Sequence, residues 1–185
     1  MMVRHRTLVG LMAWLGALAL SVGADAKMSR AGGAAVSFVA VGPAGMKIEG
    51  KSGELAVSEE GDDLIVSVPL SPLTTGIELR DKHMREKYLE VGKYPTAELR
   101  VPKASIHLPE DGQTSSGDAT GTMKLHGRTN SVPFHYEAKR NGPAYVVKGS
   151  VRVNMKAFGI EVPSYMGVTV KPDVNVSVAF GAVDR

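Results

Sequence analysis

The chain predicts an all-β fold: a closed antiparallel barrel of about eight strands with a short helical insertion around residues 77–91. Three observations carry that expectation. Apolar residues recur at every second position along most of the chain after residue 34. Gly, Pro, Asp and Asn cluster between those runs, and residues 75–91 break the alternation with a four-residue spacing. Period-two patterning puts the apolar side chains on one face of a sheet and leaves the other to water. One-sided strands belong to antiparallel sheets, because a parallel sheet is covered on both faces and reads as continuous apolar runs. A sheet with one apolar face must curl on itself or pack on a second. Closure removes exposed edges altogether, and a sandwich is the structural alternative.

The first 26 residues read as an export signal. Arg4, His5 and Arg6 form a basic start, Leu8 to Leu20 is apolar and uncharged, and Ala24-Asp25-Ala26 offers a cleavage site before Lys27. That run falls short of the roughly 20 apolar residues a spanning helix needs. A periplasmic or secreted protein without stable membrane insertion is expected, with residues 27–34 a flexible arm and 35–185 the folded domain. A domain of that size needs no disulfide staple, in keeping with a chain that contains no Cys.

Alternation then marks the strands in order. Val36, Phe38 and Ala40 share a face, as do Met46 and Ile48; Leu64, Val66, Val68 and Leu70; Ala97, Leu99 and Val101; and Met123 and Leu125. Longer runs follow: Val132 to Ala138, Tyr145 to Met155, and Val168 to Phe180. Turn chemistry separates them at Gly42-Pro43, Glu60-Gly61-Asp62-Asp63, Glu110-Asp111-Gly112 and Asn141-Gly142-Pro143. Gly121 and Gly149, inside strand patterns, fit sharp bends or close approaches. In the insertion, Asp81 and Arg85 stand four apart, as do Met84 and Tyr88, and Thr75 and Glu78 have the spacing of a capping box.

Composition excludes several function classes. Without Cys, thiolate metal centres and iron–sulfur clusters are ruled out. The net charge of +3 is scattered and aromatics make up 5% of the chain, so a basic, aromatic-lined nucleic-acid surface is not expected. The chain has no G-x-S-x-G elbow, H-E-x-x-H pair or phosphate-binding glycine loop, and no cofactor or metal is expected. His107, His126 and His135 read as solvated or turn histidines. His83 differs because Arg80 and Asp81 adjoin it: an arginine can hold a carboxylate, and a carboxylate can orient an imidazole. The trio reads as a structural clasp, a head-group contact or, least favoured, an acid–base site lacking a nucleophile.

Inside, the inward set is mostly Val, Leu, Ile, Met and Ala, and an eight-stranded barrel is wide enough for packed side chains or one small ligand. Residue types alone do not choose between a solid core and a cavity.

The motifs resemble a known family. Thr75-Gly76 with Arg80-Asp81-x-His83-Met84 resembles the T-G-x-x-x-R-D-x-H-[LM] signature of the YceI-like polyisoprenoid-binding proteins. Tyr94-Pro95, the run Gly121-x-Met123-x-Leu125-x-Gly127-x-Thr129, and Phe158-Gly159-Ile160 with the closing valine-rich strand are similar to its later motifs. The resemblance spans the mature chain. It departs at Ala35-Val36-Ser37, at Tyr88-Leu89 and at Leu99, where the family often carries other polar or aromatic residues. It implies a lipocalin-like barrel holding an isoprenoid or other long-chain lipid or amphiphile, and no enzyme activity.

The expected ligand-binding residues are Phe38, Leu79, Arg80, Asp81, His83, Met84, Leu89, Leu99, Phe134, Tyr136, Val151, Phe158, Ile160 and Met166. Monomer and homodimer are both left open. The rival functions are a cavity enzyme using His83 and Asp81, and a ligand-free structural domain.

Overall fold

The computed structural model describes residues 27–165 and 168–184; the expected leader, 1–26, lies outside them. The strands are β1 (Met28–Val41), β2 (Lys47–Ser52), β3 (Ala56–Glu60), β4 (Asp63–Pro69), β5 (Thr96–Pro102), β6 (Thr114–Leu125), β7 (Arg128–Asn141), β8 (Ala144–Asn154), β9 (Ser164–Tyr165), β10 (Val168–Thr169) and β11 (Asp173–Asp184). Nine of them form one antiparallel sheet in the order β2-β1-β11-β8-β7-β6-β5-β4-β3, and β9 and β10 make a small ribbon. Between β4 and β5 stands the insertion, helix α1 (Glu78–His83) running into a wider turn at Met84–Tyr88. No helix among the described residues is long and apolar enough to cross a membrane.

The all-β architecture and the insertion are as expected; the closed barrel is not. The sheet curls into a half-barrel whose free edges are β2 and β3, consecutive in the chain but not hydrogen-bonded as neighbours. The link between them sends Leu55 into the core instead of forming a hairpin turn. β2 covers only Val36–Val41 of β1, so the first half of β1 has no ladder on that side.

That first half also corrects the expected flexible arm. Residues 28–34 belong to β1, paired with β11 from Met28 opposite Asp184, and Met28 is buried. The Gly32-Gly33 pair that suggested looseness instead forms a bulge, where the register shifts between Ala31 and Ala34 and Gly32 takes φ 74°.

Packing divides the interior in two. Met28, Val36, Leu55, Val57, Leu64, Val101, Tyr145, Phe180 and Ala182 seal one end. Leu70, Leu73, Met123, Leu125, Val132, Val153, Met155, Phe158 and Ile160 seal the other, under the insertion and the β8–β11 connection. Leu99 touches both clusters.

Candidate functional site: an apolar groove and a buried clasp

Between the sealed ends, the inward-facing residues are apolar yet only half-buried. On β8 the inward set runs Tyr145, Val147, Gly149, Val151, Val153; the outer two are buried and the middle three are not. On β11, Val174, Val176 and Val178 are half-buried while Phe180 and Ala182 are buried. Strand pairing turns these residues into a continuous row. Ala119 faces Phe134, Phe134 faces Val151, Val151 faces Val176, and Val176 faces Phe38. All five are half-buried. At roughly 4.8 Å per strand step, the row spans about 19 Å. No charged side chain belongs to it.

Glycines set the width of the groove. Phe38 lies over Gly50, its partner on β2, and a Cβ there would overlap the ring. A Cβ at Gly121 would come within 2.9 Å of both Leu99 Cδ1 and Arg100 O, the close approach its place in a strand suggested. Tyr136 leans across Gly117, and its hydroxyl accepts a 2.7 Å hydrogen bond from the His107 amide. That bond fixes the ring as part of the wall.

The insertion carries the buried polar group. Asp81 is 5% exposed and is the one charged residue buried as a whole among the described residues. Its carboxylate accepts hydrogen bonds from Thr74 Oγ1 at 2.5 Å, the Thr75 amide at 2.7 Å and Thr75 Oγ1 at 2.5 Å. Burial pushes the carboxyl pKa up. The Thr74 and Thr75 hydrogen bonds outweigh that and, with the nearby Arg85 charge, bring it down to about 2. Arg80 does not hold Asp81: its guanidinium donates to Thr75 Oγ1 and to the Thr75 carbonyl. Arg85 donates to the Leu73 carbonyl at 3.1 Å. Thr75 does not cap α1 either; Ile77 occupies the cap position without a side-chain hydrogen bond. The Thr-Gly-x-x-x-Arg-Asp motif is therefore a fastening of residues 73–75 onto the helix.

His83 is exposed, and its side chain makes no hydrogen bond among the described residues. The expected His83–Asp81 pair is not formed, because one helical turn aims Asp81 inward and His83 outward. Leu79 is also a correction, at 63% exposed on the outer side of α1. Phe158 and Ile160 are 1% and 4% exposed and fill the sealed end, so they are core and not lining. Met84, Leu89 and Leu99 are half-buried against that same cluster. Phe38, Phe134 and Val151 lie along the groove on three different strands, with Tyr136 in its wall; Met166 lies outside the described residues.

His126, expected as a solvated or turn histidine, does sit at the β6–β7 turn but is not solvated. Its side chain is 12% exposed, with Nε2 2.7 Å from Glu90 Oε2 and Nδ1 3.2 Å from the Phe158 carbonyl. The Nε2 contact is close but not aligned as a hydrogen bond. Tyr94 packs on the imidazole with ring centroids 4.7 Å apart, and Gly127 (φ 71°) leaves room for that ring, since a Cβ would sit 2.6 Å from Tyr94 Cε1. His126 thus ties three loops together at the insertion end. The signal open to a sequence reader was the pair Tyr94 and His126-Gly127, each beside a turn.

The fold has known counterparts. A structure described as a polyisoprenoid binding domain from Saccharophagus degradans, implicated in plant cell wall breakdown, superposes with a TM-score of 0.71 at 16% identity over 86% of this chain and 99% of that one. Burkholderia cenocepacia BcnA gives 0.63 at 15% identity over 80% and 95%. The Campylobacter jejuni YCEI protein gives 0.51 at 14% identity over 99% of both chains. No curated protein matches by sequence. Residues 24–182 match the YceI-like domain model, and the chain belongs to that family.

Proposed function

We propose that the protein is an exported lipid-binding protein that holds an isoprenoid or similar long apolar chain along the half-buried row from Ala119 to Phe38. The observation that carries this reading is the exposure pattern: inward apolar side chains on β8 are buried at both ends and only half-buried between them, and the same break recurs at Phe38 on β1 and Phe134 on β7. A single packed core has no reason to stop short at mid-strand on β8, β7 and β1 together. Family membership and a neighbour described as a polyisoprenoid binding domain support the same reading.

The magnitudes agree. Burying a methylene contributes about 0.8 kcal/mol, so a dozen tail carbons supply about 10 kcal/mol gross. Micromolar binding requires about 8 kcal/mol net, and ordering and association subtract from the gross figure. With no charge in the row, the polar head stays outside the groove and sets orientation. Export rests on the leader-like first 26 residues and places the site in the periplasm or the medium.

The test is organic extraction of the purified protein followed by mass spectrometry, with titration of a farnesyl chain carrying an anthraniloyl fluorophore. Recovered lipid or saturable binding is expected. No lipid and no binding of the probe would overturn the proposal.

A further inference from the structure

We propose that the apolar chain passes into the groove sideways, through the seam between the β1–β2 edge of the sheet and the β3–β4 edge, and that residues 73–75, which follow β4, are the latch over that seam, with Asp81 as its positioning residue. The inference rests on the apolar-chain reading above. Around the rest of the half-barrel each neighbouring pair of strands is joined by a ladder, for example Val36–Val41 with β2 and Ala56–Glu60 with β4. The seam has no ladder. At one end it is spanned by two backbone hydrogen bonds, Lys51 N–H to Thr74 O at 2.8 Å and Thr74 N–H to Lys51 O at 3.0 Å. At the other end, the Met28 amide donates to Glu59 Oε1 at 2.9 Å, and the other Glu59 oxygen accepts from Lys103 at 2.6 Å. No ladder has to break here to open the wall, and local opening follows the weakest cooperative unit.

What strengthens the seam is not a strand but the insertion. Every donor that Asp81 engages belongs to Thr74 or Thr75, and Arg80 and Arg85 hold the same short segment from outside. The segment is thus held on one side by a buried carboxylate and on the other by a single bridge to Lys51. Beside that bridge, Phe38 lies over Gly50 of β2, and half-buried Val66 and Val68 stand on β4, the strand next in from β3. A chain crossing the seam meets apolar wall at once.

Lys51 and Thr74 exchange both hydrogen bonds, and Cα atoms in such a pair stand about 5.5 Å apart, within disulfide range. The natural chain has no Cys, so the variant Lys51→Cys/Thr74→Cys carries one defined pair. Stopped-flow loading of the anthraniloyl-farnesyl probe compares that variant oxidised and reduced, which cancels the effect of the substitutions themselves. The oxidised form should load about tenfold more slowly than the reduced form while reaching a similar endpoint. Equal rates in the two forms, with binding intact, overturn the lateral route alone. A wild type that never binds the probe overturns the lipid reading and the route with it. Asp81→Asn supplies a second arm in the cysteine-free chain. Bound probe should leave it several-fold faster than wild type well below the melting temperature, and an unchanged release rate counts against the latch.

Discussion

His126 Nε2 lies 2.7 Å from Glu90 Oε2, and both residues hold left-handed backbone conformations, φ 51° and φ 45°. Non-glycine residues occupy that region at an expense of about 1–3 kcal/mol each and persist only where surrounding contacts over-determine them. Here the contacts are the imidazole itself, stacked by Tyr94 and bonded to the Phe158 carbonyl. The pair joins the insertion, the β6–β7 turn and the β8–β11 connection at one point.

Removing the ring should therefore loosen three loops together. His126→Ala is expected to lower unfolding stability by about 1–3 kcal/mol, the usual result of stranding buried polar partners. A shift in the urea midpoint at unchanged slope checks it; a change below about 0.5 kcal/mol, typical of surface positions, would show that His126 ties nothing together.

Acid sensitivity follows from Asp81. Its folded pKa, about 2, lies below the ordinary value of 3.8, so the folded state favours the charged form. That contribution is fully present above the unfolded pKa and is lost as pH falls from about 4 to 2. It amounts to roughly 2 kcal/mol. Urea unfolding across that range should show the decline, and Asp81→Asn should be less stable at neutral pH and flatter between pH 4 and 2.

Filling the groove separates binding from folding. Val176→Phe places a ring on the half-buried row between Val151 and Phe38. Probe affinity should fall by about tenfold or more while the melting temperature changes little. A large stability loss instead would show that the row is already packed solid.

Leu79 and Phe158 give opposite expectations despite equal standing as sequence candidates. Leu79→Ser, on the exposed side of α1, should change stability by less than about 0.5 kcal/mol and leave probe binding intact. Phe158→Ala, at a site 1% exposed, should cost about 3–5 kcal/mol. Parallel denaturation curves distinguish them.

Legibility tracked side-chain size. Strands with bulky alternating residues, such as Val132 to Ala138 and Tyr145 to Met155, were readable because each inward position announces itself. β3, with Val57 as its one large apolar residue, was not, nor was the first half of β6, where Ser115, Gly117 and Ala119 face inward. Small inward residues give no hydrophobic signal for the same reason that they leave space: the part of the sheet hardest to read is part of the groove wall.

Local pattern by itself determined that the chain is all-β, which face of most strands turns inward, where the turns fall and that residues 77–91 stand apart. Those features depend on neighbours within a few positions, where backbone geometry sets the period. The tertiary structure decided that the barrel stays open along one seam, that Asp81 takes its donors from Thr74 and Thr75 and leaves His83 in water, and that His126 is buried against Glu90. Each of these turns on which distant segments the curled sheet brings together, and a carboxylate or imidazole bonds whatever donor or acceptor the fold delivers to it.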